Sequence, residues 1–76
     1  MDLKNDYFEL RGIEVLGRVE LTVFDRRGAL VFENLDYDNL WHGTNYNGEP
    51  LPDDTYFYII KAENGLSLSG YLYIRR

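Results

Sequence analysis

The sequence predicts an all-β domain, a small antiparallel β-sandwich of five to seven strands. Three observations carry this. Glycine and proline punctuate the chain into short runs. The runs between them alternate, or are rich in β-branched and aromatic residues that suit a pleated, half-buried surface. Helix periodicity is absent almost everywhere, leaving room for at most one short turn around Tyr37 to Leu40.

In chain order, Tyr7 to Val15 reads as a first strand interrupted at Gly12. Arg18 to Phe24 alternates cleanly, with Val19, Leu21 and Val23 on one face and Glu20 and Thr22 on the other. Asp25-Arg26-Arg27-Gly28 is a tight turn, with Gly28 where a positive φ is needed. Ala29 to Glu33 completes a hairpin. Asn34 to Thr55 breaks the pattern. It holds both prolines, Pro50 and Pro52, together with Gly43, Gly48 and many Asp and Asn residues. That is too long for a structureless loop in a compact domain, so internal turns are expected, with Trp41 and Leu51 pinning it to the core. Tyr56 to Glu63 is the fourth strand, Asn64-Gly65 a hairpin turn, and Leu66 to Arg75 the fifth strand.

Length and composition bound the function. A chain of 76 residues allows one domain, and a domain of that size buries only about 60% of the surface its unfolded chain exposes. With no cysteine there is no disulfide to compensate. Stability must come from aromatic side chains, of which there are seven Tyr, four Phe and one Trp. A net charge of −5 argues against nucleic acid, which needs clustered cations on one face. The basic clusters Arg26-Arg27 and Arg75-Arg76 are short. Met1 to Asp6 lacks the apolar core of a signal peptide, and no run approaches the ~20 apolar residues of a membrane span.

The candidate sites are weak as chemistry. Asp53-Asp54 and Asp36-Tyr37-Asp38-Asn39 have the residue types of a carboxylate pair or a calcium loop. Asp and Asn also cap turns with their own side chains, and that reading is preferred. His42 is the single histidine, which excludes a multi-histidine zinc site. A Ser-His-acid triad would have to draw on Ser67 or Ser69 in an exposed strand. No catalytic residue, metal or cofactor is therefore expected. Trp41 is read as a core anchor rather than a sugar-stacking platform. Tyr7, Tyr56, Tyr58, Tyr71 and Tyr73 are candidates for an aromatic stripe. Tyr56, Tyr58 and Ile60 share one strand face, and Phe57 and Ile59 share the other. One face must be core; the other is a partner surface, a dimer surface or a hydrated tyrosine face.

Read together, several segments resemble the gliding-motility-associated C-terminal domain. They are Asn5-Asp-Tyr-Phe-Glu-Leu10, Leu21-Thr-Val-Phe-Asp-Arg-Arg-Gly28, Leu30-Val-Phe-Glu33, Trp41-His-Gly-Thr44, Asn47-Gly48, Leu51-Pro-Asp-Asp-Thr-Tyr-Phe-Tyr58 and Gly70-Tyr-Leu-Tyr-Ile-Arg75. That family is the type B sorting domain of the type IX secretion system of Bacteroidota. The likeness runs from about Asn5 to Arg76. It departs at Arg27, where the family has Trp, at His42, where it has an acid, and at Asp54, where it has Gly. The family's Pro-Asn-Gly-Asp-Gly opening is reduced to Asp2-Leu-Lys4.

The resemblance implies an Ig-like sandwich and a non-catalytic secretion signal. Such a signal is recognised by the outer-membrane translocon, with a porin-like outer-membrane partner, and exports its parent through the periplasm to the cell surface or medium. It implies that residues 1–76 are a single C-terminal sorting domain of a longer secreted parent, Met1 being an introduced start. Gly70, Tyr71, Tyr73, Arg75 and Arg76 are the expected partner-recognition residues, with Trp41, Gly43, Gly28, Pro52 and Tyr56 as structural motif residues. Neither nucleic acid nor a membrane-spanning role is expected, and a weak homodimer is. The rival reading is an autonomous glycan- or protein-binding Ig-like adhesion module that uses Trp41 and the long loop.

Overall fold

The computed structural model describes residues 2–3, 17–38 and 41–75. The expected first strand, Tyr7 to Val15, lies outside them, as do part of the possible turn at Tyr37 to Leu40, and Arg76. The described residues form one sheet of order β1-β5-β4-β2-β3. Its strands are β1 (Asp2–Leu3), β2 (Val19–Phe24), β3 (Leu30–Asn34), β4 (Asp54–Ala62) and β5 (Ser67–Ile74). All neighbours are antiparallel except β1, which lies parallel to β5.

The all-β expectation matches this architecture, but the Ig-like sandwich of five to seven strands does not. Among the described residues there is a single four-stranded antiparallel sheet, with β1 added at its edge, and it does not close on a second sheet. The physical reason lies in residues 35–53. Their Asp, Asn, Gly and Pro residues make turns instead of extended strands, so the sheet's apolar face is covered by a folded loop. Three side chains do the covering: Tyr37, Trp41 and Leu51 are all buried against Val19, Leu21, Val23, Tyr56, Ile60, Leu72 and Ile74. The backbone reinforces this, since Tyr37 N donates to Val19 O at 2.8 Å and Leu51 N to Gly43 O at 2.8 Å. Inside the loop, Asn45 Oδ1 accepts from Asn47 N at 2.9 Å and Glu49 N at 3.0 Å. This is the asparagine turn chemistry expected of such a segment.

Both hairpins follow from their turn residues. At the first, Asp25 N donates to Ala29 O at 2.9 Å, and Gly28 adopts φ +87°. Asp25 Oδ1 accepts from both Arg27 N and Ala29 N at 2.9 Å. The Ala29 amide, with Arg27 behind it, holds the Asp25 carboxyl below its ordinary range, against a smaller opposing effect of desolvation. A carboxylate with a depressed folded pKa contributes stability above its unfolded pKa and loses it as pH falls through the folded value. Thermal melts should therefore show stability declining below the ordinary carboxylate range. Asp25→Asn should flatten that decline, and a variant as acid-sensitive as the parent would remove the turn from the explanation.

At the second hairpin, Ala62 N donates to Leu66 O at 2.8 Å and Leu66 N to Asn64 Oδ1 at 2.9 Å. The β2–β3 ladder carries a register shift. Val23 faces Phe32 but Phe24 faces Leu30, so Val31 is the extra residue of a β-bulge.

Candidate functional site

Register decides which aromatic residues face outward, because residues opposite one another on paired strands share a face. Tyr56 lies opposite Leu72 and Tyr58 opposite Gly70, so both point to the covered side. Tyr56 is buried and its hydroxyl donates to Pro52 O at 2.8 Å. The anticipated tyrosine stripe is thus split by the sheet, and Tyr7 lies outside the described residues.

The other face carries a row of rings across three strands, Phe24 opposite Phe57 and Phe57 opposite Tyr71, with Tyr73 two residues further along β5. Phe57 and Tyr71 meet edge to face with centroids 6.2 Å apart, and Tyr71 and Tyr73 do the same at 5.9 Å. These rings brace one another while remaining exposed: Phe57 by 43%, Tyr71 by 56% and Tyr73 by 40%. Phe57 was absent from the sequence-derived recognition set. The signal for it was the pairing of Phe57 with Tyr71, which requires the β4–β5 register and not the strand pattern alone.

Gly70 is on the covered face. A Cβ there would stand 2.7 Å from the Tyr58 hydroxyl oxygen and 2.9 Å from its Cζ, so the missing side chain lets the Tyr58 ring lie across β5. Gly70→Val should cost about 1–3 kcal/mol by overpacking, read as a lower denaturation midpoint. An unchanged midpoint would show that Tyr58 moves aside freely. Arg75 follows β5 and is exposed.

The structural motif residues sit on the covered side or at its turns. Trp41 is 3% exposed, stacks on Phe32 with centroids 5.3 Å apart and donates from Nε1 to Thr44 O at 2.8 Å. A ring enclosed in this way presents no face to a sugar, so the rival module loses its platform. Gly43 is buried with φ +92°, and Pro52 is exposed. His42 belongs to the segment that covers one face of the sheet. Ser69 is opposite Ile59 on the other face, so the sheet separates the members a triad would need. Among the described residues no three Asp, Glu, His or Cys side chains gather as metal ligands.

An exposed aromatic face with no acid–base or nucleophilic cluster behind it is a surface for recognition, not for bond-making. The chain matches the CHU_C Type IX secretion signal domain over residues 1–74. No curated protein and no solved structure gives a significant match. The chain belongs to the CHU_C type IX secretion signal family. It is a non-catalytic domain that the type IX translocon recognises, and it directs export through the periplasm to the cell surface or extracellular space.

Proposed function

We propose that this signal is gripped on the bare face of β4 and β5. The contact residues are Tyr71, Tyr73 and Phe57, with the cations at Arg75 and Arg76 steering the approach and Gly70 holding β5 flat beneath Tyr58. The observation that supports this reading most is the braced row of half-exposed rings on the outer face. Fully burying an aromatic side chain removes on the order of 150–250 Å² from water. Three half-exposed rings therefore offer on the order of 300 Å². A stable protein complex buries about 800 Å² per partner, so this patch suits a grip that is made and released as cargo passes. The same arithmetic limits self-association to a weak homodimer.

The partner is a porin-like outer-membrane protein of the translocon, and residues 1–76 act as one C-terminal unit in this reading. Photocrosslinking in a secreting host tests it. A photoreactive phenylalanine analogue at Tyr71 or Tyr73 should capture an outer-membrane β-barrel protein, and the same probe at Tyr46 in the covering loop should not. Capture from Tyr46 alone would move the recognition surface off β5.

A further inference from the structure

A second surface, sharing no residue with the outer aromatic face, is created by the strand register. β2 ends at Phe24, opposite Phe57, so Asp54, Thr55 and Tyr56 extend β4 beyond it. On the other side the bulge at Val31 turns the start of β3. Between the overhang of β4 and the turn after β2 lies an open cleft of about 450 Å³. Its apolar lining comes from Val31, Leu51 and Tyr56, and its charged rim from Arg26, Arg27 and Asp54.

The charges on that rim are unequally committed. The Asp25 carboxylate already accepts two turn amides. Asp54 Oδ1 accepts from Thr55 N at 2.8 Å and faces Arg26 at 3.5 Å. Arg27 has only a 3.8 Å approach to Asp25, and its side chain is 87% exposed. A guanidinium offers five N–H donors in a fixed fork, so Arg26 and Arg27 keep donors to spare while the neighbouring carboxylates are engaged. Two adjacent arginines with spare donors, above an apolar floor in a domain of net charge −5, select for the opposite sign and for a chain that is partly apolar.

The geometry points to this cleft as a docking site for an extended acidic peptide segment. Its aliphatic or aromatic side chain rests on Val31, Leu51 and Tyr56, and its flanking carboxylates are held by Arg27 and Arg26. Charged forks of this kind bind carboxylate in paired hydrogen bonds, and the apolar seat fixes the register of the peptide.

The test uses the 76-residue chain and two fluorescein-labelled peptides. One alternates glutamate with leucine; in the other lysine replaces every glutamate. Fluorescence anisotropy should show the acidic peptide binding at least about tenfold more tightly than the lysine peptide, more weakly as salt is raised. Amide shifts in a nitrogen–proton spectrum should centre on Arg27, Val31, Leu51 and Tyr56. Arg27→Ala should weaken binding about tenfold and leave the rest of the spectrum in place. Arg26→Ala serves as a second variant if the first disturbs the turn. Equal binding of the two peptides would overturn the site. So would shifts centred on Phe57, Tyr71 and Tyr73, or acidic binding indifferent to both arginine variants. Because the two surfaces are disjoint, failure here leaves the export reading intact, and loss of export with Tyr71 and Tyr73 says nothing against this cleft.

Discussion

Trp41→Ala is expected to remove most of the domain's stability. Truncating a buried aromatic to alanine costs about 3–5 kcal/mol. A chain of 76 residues has a total of only about 4–11 kcal/mol to lose. Here the loss falls on the fastening of the loop to the sheet. The indole stacks on Phe32 and ties itself to the Thr44 carbonyl, so its removal opens a cavity and leaves an acceptor without its donor. Loop residues 41–51 would then loosen from Val19, Leu21 and Val23, exposing the apolar face of β2. Trp41→Phe should cost less, since a ring remains to stack and mainly the Nε1 hydrogen bond, worth about 1 kcal/mol, is lost. Denaturant unfolding followed by circular dichroism measures both. An alanine variant with the parent's midpoint would mean that the loop does not hold the sheet.

The Tyr71→Ser, Tyr73→Ser double variant is expected to cut export of a fused reporter by about tenfold or more, the loss typical of removing anchor residues from an interface. The folded state should survive. Both side chains are largely exposed, and the edge-to-face contacts they make are worth about 0.5–1.5 kcal/mol each. Leu72→Ser separates the two causes. Leu72 lies between the tyrosines in sequence but is fully buried, so a polar group there should unfold the domain and abolish export by that route. Reporter retained in the periplasm with a double variant that melts near the parent temperature would place recognition on the outer face. Undiminished secretion of that variant would remove it from there.

The parts of this fold set by local chemistry were legible in the sequence. The turns at Asp25 to Gly28 and Asn64-Gly65 declare themselves through residues that supply side-chain acceptors or tolerate positive φ, and the strands flanking them fall within about two residues of expectation. What covers the sheet was not legible. Alternation in β2 shows that Val19, Leu21 and Val23 need a cover but is silent on whether a sheet or a loop supplies it. The loop does so here because Tyr37, Trp41 and Leu51 are spaced along a stretch otherwise made of turn formers. Asp54 and Thr55 look like loop residues on their own and become strand because Ile74 and Tyr73 pair with them. The outward row escaped for a similar reason. Tyrosine count and period-two phase do not say which side is wet, and only the register that sets Tyr56 opposite Leu72 and Phe57 opposite Tyr71 divides them. Gly70 did carry a readable sign, since glycine inside a strand marks a close approach. The object approaching it is the Tyr58 ring, on the side away from Tyr71.

The irregularity at Val31 bears on how such labels behave when many are present together. β3 ends the sheet, and an outermost strand with a straight run of amides is a template on which further chains can stack into fibres. An extra residue in the middle of five interrupts that run and twists the strand out of plane. A neighbouring molecule can then match only a short length before its own ladder falls out of step. Cargo queuing at a crowded pore thereby stays as separate particles, without spending a cysteine or a proline on the task.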